Sequence, residues 1–168
     1  MKLASVIPHK IFDLAQLKKQ LLSWRVSGAC IAFTNGVFDI LHEGHIFSLS
    51  QAAAEGDYLV VAVNSDASVK RLKGPQRPVN NERSRALLLA SLVMVDAVII
   101  FEEDTPLNLV KELMPDVMVK GGDYTVEQIA GAKEVIANGG RVVINPLIDG
   151  ISTTGIIEKM QQMAMKEA

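Results

Sequence analysis

Five short apolar runs recur along the chain, at Cys30–Thr34, Tyr58–Asn64, Ala97–Phe101, Val117–Lys120 and Arg141–Asn145, and segments with helical spacing separate them. A strand with one face in water alternates apolar and polar residues, whereas nearly continuous Val- and Ile-rich runs predict strands covered on both faces. Strands of that kind alternating with helices make a parallel sheet between two helical layers. The expected fold class is therefore α/β, three layers deep, with a five-stranded, mainly parallel sheet.

The expected helices run over His45–Glu55, Asn81–Val93, Pro106–Leu113, Glu127–Ala137 and from Ser152 to about Met163. Thr105-Pro106 offers a cap followed by a proline, and Gly56 and Gly139-Gly140 stop the helices before them. Leu14, Leu17, Leu21 and Trp24 at helical spacing predict a further helix over Asp13–Trp24. Residues 1–27 thus read as an N-terminal extension with a helix, and 28–168 as the main domain. Ser65–Asn80, with Gly74, Pro75 and Pro78, reads as the one long irregular loop. Its cations Lys70, Arg71, Lys73 and Arg77 are taken singly as solvated surface charge.

At 168 residues the chain is long enough for one domain with its own core. Its 49% apolar and 21% charged residues and net charge of -2 are those of an ordinary globular protein. Lys and Arg form no long basic tract with interleaved aromatics, so no nucleic-acid partner is expected. The single cysteine, Cys30, lies inside an apolar run, which excludes a disulfide framework. The N-terminal residues lack an apolar signal core, and no stretch approaches the roughly 18 apolar residues that span a bilayer. No membrane association and a cytoplasmic location are expected.

In an open parallel sheet, ligands bind beyond the carboxyl ends of the strands. The unusual residues of this chain cluster at those ends: Thr34-Asn35-Gly36-Val37-Phe38-Asp39, Asn64-Ser65-Asp66, Lys120-Gly121-Gly122-Asp123-Tyr124 and Asp149-Gly150-Ile151-Ser152-Thr153-Thr154. Each has a plain structural use as a turn, a strand end or a helix cap. Their convergence on one rim suggests a nucleotide site, with glycines allowing close backbone approach and hydroxyls opening a helix toward phosphate. Two of the three histidines, His42 and His45, flank Gly44 within the same rim. A lone histidine beside apolar residues is ordinarily a packed side chain. A pair on the first turn of a helix can instead donate to a phosphoryl group as charge builds on it.

Several common sites are excluded by inspection. No Gly-x-x-x-x-Gly-Lys-Ser/Thr loop is present, and no two glycines are separated by a single residue, so Gly-x-Gly-x-x-Gly is absent too. The histidine pair lacks further Cys or His partners for zinc, and no Gly-x-Ser-x-Gly elbow exists.

Gly36-x-Phe38-Asp39-x-x-His42-x-Gly44-His45 together with Ile151-Ser152-Thr153-Thr154 resembles the cytidylyltransferase-like nucleotidyltransferases, a Rossmann-like family marked by His-x-Gly-His. The class I aminoacyl-tRNA synthetases share that signature, but this chain is too short for a tRNA-binding body and has no Lys-Met-Ser-Lys-Ser-like segment. Ala62–Ser68, Lys70–Gly74, Arg77–Asn80, Phe101–Pro106 and Val119–Tyr124 narrow the resemblance to the adenylyltransferase halves of the bacterial heptose-phosphate kinase/adenylyltransferases. It covers the chain from about Trp24 to Gln162.

The resemblance implies joining of AMP from ATP to D-glycero-D-manno-heptose 1-phosphate, a sugar 1-phosphate, with release of pyrophosphate, a step toward the lipopolysaccharide core. It implies that His42 and His45 stabilise the α and β phosphates and that Lys73 clamps the sugar phosphate, with Arg71 or Lys70 as alternatives. Thr34, Asn35, Gly36, Val37, Phe38, Asp39, Gly44, Lys120, Gly121, Gly122, Asp123, Ser152, Thr153 and Thr154 are expected around the nucleotide, with Asp39 bracing its turn. Asn64, Asp66, Arg71 and Arg85 are expected near the substrate. Magnesium is expected to arrive on ATP, with no dedicated protein site, and the resemblance implies a homodimer or higher homo-oligomer. A cytidylyltransferase acting on glycerol phosphate or another alcohol phosphate, and a non-catalytic nucleotide-binding module, are the alternatives.

Overall fold

The structure, a computed structural model, describes residues 4–122, 124–146, 148 and 150–166. Its strands are β1 (Ile11–Phe12), β2 (Ile31–Gly36), β3 (Tyr58–Asn64), β4 (Ala97–Phe101), β5 (Val117–Gly121) and β6 (Arg141–Asn145). They form one sheet in the order β1-β4-β3-β2-β5-β6, every pairing parallel. The sheet has six strands rather than the expected five, because two residues are too few to show a period. Through β1, paired with Val98 and Ile99 of β4, the N-terminal segment is part of the sheet.

The helices are α1 (Leu14–Val26), α2 (Glu43–Ala53), α3 (Asp66–Lys73), α4 (Glu82–Ala90), α5 (Leu107–Leu113), α6 (Ala132–Ala137) and α7 (Thr153–Lys166). Asp13 and Gln16 cap α1 reciprocally, the Asp13 carboxylate accepting from Gln16 N at 2.8 Å. The stretch expected to be irregular contains α3, whose start Ser65 caps by accepting from Ser68 N. Lys70, Arg71 and Lys73 crowd this helix and hide its apolar spacing, which comes down to Val69 on the buried side. The helix expected over Glu127–Ala137 is divided into a 3-10 turn, Val126–Gln128, and α6. Gly131 stands between them at φ 95°, and a Cβ there would meet Val110 at 2.9 Å.

Alternate residues of each central strand enter opposite cores, as the twofold period of a strand requires. Ile31, Phe33, Val60 and Ala62 pack with Leu17 and Leu21 of α1 and with Val110 and Leu113 of α5. Ala32, Leu59, Val61 and Val63 pack on the other face with Leu49 of α2 and Leu89 of α4. Each such leucine or valine, fully removed from water, contributes roughly 1.5–3 kcal/mol. The edge strand β6 departs from the two-sided expectation: Arg141 and Ile144 are exposed, and Val142 and Val143 only half-buried.

Carboxylates close the end of the sheet at which the strands begin. Asp57, Asp96 and Asp116 each precede a strand by one residue and accept from Cys30 N, Leu59 N and Ile31 N respectively, all at 2.8 Å. At the opposite end the sheet splits. The β2–β5 ladder stops at Phe33 and Met118, whereas β2–β3 continues to Gly36 and Val63, and β5–β6 to Gly121 and Asn145. The strand order also reverses between β2 and β5, which makes this split the topological switch point of the sheet.

Candidate active site

The split opens into a cleft of about 290 Å³. The end of β2 and the residues after it supply Thr34, Asn35, Gly36, Val37 and Phe38; the start of α2 supplies His42, Gly44, His45 and Ser48. Lys120 and Gly121 face them from β5, and Ile148, Ile151, Ser152 and Thr153 close the wall at the start of α7.

The histidines are placed by their backbone. His42 is the N-cap of α2, extended at φ -144° and ψ 172°, and its carbonyl accepts from His45 N at 2.9 Å. The two rings then lie side by side, 3.9 Å between centroids, with Phe38 packed 5.4 Å from His45. A side chain at position 44 would meet the His42 ring at 3.1 Å, so glycine there gives the imidazole its room. Nδ1 of both rings is buried and has no hydrogen-bond partner among the described residues. Burial, reinforced by His42 next to it, pushes the His45 pKa down to about 4, and burial also lowers that of His42. Both rings are therefore neutral at neutral pH, each keeping a ring nitrogen for a guest at a helix start that favours anions.

Phe38 takes a left-handed backbone conformation, φ 49°, which costs a non-glycine residue about 1–3 kcal/mol and needs surrounding support. Asp39 supplies it. Its fully buried carboxylate accepts from Arg77 Nε at 2.6 Å, Val79 N at 2.8 Å and Asn80 N at 2.9 Å, and Asn80 Nδ2 donates to the Asp39 carbonyl at 2.7 Å. Burial alone would raise the Asp39 pKa, but the Asn80 and Val79 amides and the Arg77 guanidinium outweigh it and hold the carboxyl below its usual range. The residues that follow α3 are thus strapped onto the histidine loop.

Two further clefts adjoin the first. One, of about 260 Å³, is lined by Lys73, Arg77, Asp39 and Thr154 and shares Val37, Phe38, His45 and Thr153 with the central cleft. The other, of about 170 Å³, is lined by Thr105, Tyr124 and Gln128 among others and shares Asn35 and Lys120 with it. Lys120 stands in the wall between two clefts. Its ammonium donates to Asn35 O at 3.4 Å and Asn35 Oδ1 at 3.3 Å, and burial lowers its pKa.

Not every residue expected at the site is there. Arg85 is fully buried and donates to Asn80 O, Val37 O and Asp66 Oδ1, so it braces the rim from beneath and lines none of the clefts described. Asp66 is occupied by Arg85, and Asn64 donates to Ser68 Oγ and Glu103 O. Arg71 points elsewhere, to Asp104 and the Glu102 carbonyl. Asp39 braces its turn, with its carboxylate spent on protein donors rather than open to a nucleotide. Gly122 donates its amide to Asn145 O and lies outside the central cleft. Ser152 does act as a cap, accepting from Gly155 N at 3.0 Å, while also lining the cleft. Asp123 lies outside the described residues.

Ser48 is not singled out by sequence, and Arg77 reads there as solvated surface charge. Ser48 stands three residues after His45 on α2, a spacing that puts both on one helix face. Arg77 looks like one more loop cation until its pairing with Asp39 is seen. Among the described residues no cluster of three or more His, Cys, Asp or Glu is arranged to hold a metal ion, and no helix is long and apolar enough to cross a membrane.

Comparison with known proteins places relatives beside this geometry. A family model described as cytidylyltransferase-like matches residues 33–159. The bifunctional protein HldE of Mesorhizobium japonicum is 51% identical over 155 residues, covering 91% of this chain and 31% of the relative. HldE of Cronobacter sakazakii is 55% identical over 152 residues, covering 90% and 32%. The chain therefore spans about a third of the length of these curated relatives. Among solved structures, a lipopolysaccharide core biosynthesis protein from Thermoplasma volcanium aligns with a TM-score of 0.58 at 34% identity, over 72% of this chain and 98% of that one. A pantoate-beta-alanine ligase from Francisella tularensis aligns with the same TM-score at 15% identity, over 87% and 74%, a likeness of fold.

Proposed function

The chain belongs to the cytidylyltransferase-like family, and from that membership we propose that it transfers AMP from ATP to D-glycero-D-manno-heptose 1-phosphate, giving ADP-heptose and pyrophosphate for lipopolysaccharide core synthesis. One observation carries the reading: two imidazoles in contact at a helix start, each with a buried Nδ1 unpartnered among the described residues, face a cleft at the switch point of the sheet. The identity to HldE over nine-tenths of this chain, and the likeness to a lipopolysaccharide core biosynthesis protein, support the choice of substrates.

The residues suit direct transfer. An oxygen of the sugar phosphate attacks the α phosphorus while pyrophosphate departs in line, so the protein has to position reactants and offset charge rather than supply a nucleophile. His42 and His45 donate to phosphoryl oxygens as charge shifts toward the leaving group. Gly36 and Gly44 let phosphate and ring approach the backbone, and Ser152, Thr153 and Thr154 present hydroxyls and the amides of the α7 start to phosphate. Adenosine occupies the part of the cleft between Gly121, Ile148 and Ile151.

Magnesium, bound to the phosphates of ATP, would screen their charge. An ion carried in on ATP keeps phosphate and water ligands and needs no dedicated carboxylate cage. Assembly as a homodimer or higher oligomer and a cytoplasmic location belong to the same proposal and rest on the family resemblance.

The test is a matrix of ATP and CTP against heptose 1-phosphate, glycerol phosphate and other alcohol phosphates, read by pyrophosphate release. ADP-heptose formation from the ATP and heptose pair is the expected result. Preference for CTP, or ATP binding with no product from any acceptor, overturns it.

A further inference from the structure

We infer that Lys120 receives the phosphate of the acceptor and that the sugar it carries lodges in the cleft beside Tyr124; the inference rests on the adenylyl transfer proposed above. The central cleft meets a different neighbour at each of two ends. Toward α7 it shares Val37, Phe38, His45 and Thr153 with the Lys73 cleft, and toward β5 it shares Asn35 and Lys120 with the Tyr124 cleft. The two outer clefts share no lining residue with each other among those described.

In-line displacement places the attacking and departing oxygens on opposite sides of phosphorus. Acceptor and pyrophosphate therefore need opposite ends of the central cleft. Pyrophosphate is a compact polyanion with no apolar surface, and it matches Lys73, Arg77 and Thr154 at the α7 end. A sugar has hydroxyls and an apolar ring face. Tyr124 offers an aromatic surface to that face, and Thr105 and Gln128 offer hydrogen-bonding groups to the hydroxyls.

Lys120 stands where the sugar cleft opens into the central one, the place the attacking oxygen has to occupy. An ammonium group has three donors. Among the described residues this one makes only two long bonds, 3.3 and 3.4 Å, both to Asn35. Donors remain for a phosphate.

In the step, a lone pair on a non-bridging oxygen of the acceptor phosphate forms the new bond to the α phosphorus of ATP. The bond from that phosphorus to the oxygen shared with the β phosphorus breaks, and its electron pair leaves with pyrophosphate. Lys120 neither gives nor takes a proton; it offsets the repulsion between two phosphates brought together. Lys73 then serves the leaving group, in place of the sugar-phosphate role the family resemblance implies.

The experiment is steady-state kinetics with ATP and heptose 1-phosphate varied separately, on the unaltered protein, Lys120→Met, Lys120→Arg and Lys73→Met, with calorimetric ATP binding as a second readout and thermal melting by circular dichroism as the check on folding. Loss of a charged hydrogen bond to phosphate corresponds to about a 10- to 100-fold effect. Lys120→Met is expected to raise the acceptor KM by that factor with ATP affinity little changed, and Lys120→Arg to recover part of it. Lys73→Met is expected to weaken ATP binding and pyrophosphate inhibition while sparing the acceptor KM. An unchanged acceptor KM in Lys120→Met, or an acceptor defect confined to Lys73→Met, overturns the inference while the proposed function stands. A different nucleotide or acceptor preference in the unaltered protein overturns the proposed function and leaves the Lys120 comparison to be made with the preferred acceptor. Inactivity of the unaltered protein toward every pair overturns both.

Discussion

The two ends of the sheet use polar side chains in opposite ways. Where the strands begin, Asp57, Asp96 and Asp116 each turn a carboxylate onto the backbone amide of a neighbouring chain segment. Where they end, His42 and His45 bury ring nitrogens without a partner among the described residues, Lys120 holds one residue at long range, and Phe38 sits at a positive φ. A buried polar group left without its hydrogen bond costs roughly 1–3 kcal/mol. The starting end has its polar groups engaged with backbone, and the finishing end leaves several of its own without such partners among the described residues. Beneath the finishing end, the Asp39 and Arg85 networks are fully engaged, so the open rim rests on a closed base.

The contrast can be broken most sharply at the histidines. His42→Ala and His45→Ala are each expected to lower turnover by about 100- to 1000-fold, the usual cost of removing a transition-state donor, with no loss of thermal stability. Near-normal turnover in both would erase the distinction between the two ends.

Arg85→Met tests the base. Removing a buried cation that holds two carbonyls and Asp66 should cost about 2–4 kcal/mol in urea unfolding. A stable variant whose only defect is acceptor affinity would return Arg85 to the substrate site. At the starting end, Asp116→Ala leaves Ile31 N unpartnered and should cost about 1–3 kcal/mol, with kcat/KM per folded molecule unchanged. Lost catalysis in a folded Asp116→Ala would show that the two ends are coupled.

The smallest effect is in pH. The His45 pKa is about 4 in the folded chain, against an ordinary 6.5. Between those values the unfolded chain takes up a proton that the folded chain refuses, so this residue's contribution to stability is present above pH 6.5 and falls as pH drops toward 4. Urea unfolding at pH 7 and pH 5 should show a shallower loss in His45→Gln than in the unaltered protein. Equal losses would mean that the imidazole is not held neutral by its surroundings.

The sequence made the open end legible better than the closed one. The ranges Tyr58–Asn64 and Ala97–Phe101 coincide with β3 and β4, because buried strands announce themselves through composition, and Arg141–Asn145 coincides with β6 through its Val-Val-Ile run although that edge strand is largely open. The histidine pair stood out because His-x-Gly-His after an apolar strand has no easy packing explanation, and the structure brings both residues to the wall of the central cleft. Arg85 was misplaced for the opposite reason: a cation near a motif looks the same in sequence whether its donors are spent on protein or kept for a ligand. Asn64, Asp66 and Arg71 share that ambiguity, and only the positions of Ser68, Arg85 and Asp104 resolve it. The three aspartates at the strand starts went unread, since each acts on a residue at least 27 positions away.

The central claim is that the ring nitrogens of His42 and His45 meet phosphate. Side-chain nitrogen NMR of the histidines during titration with magnesium and a non-reacting ATP analogue measures this directly. The account predicts that the His42 and His45 resonances shift together at saturation while that of His9 stays in place. Saturating analogue binding with both His42 and His45 unmoved would contradict it.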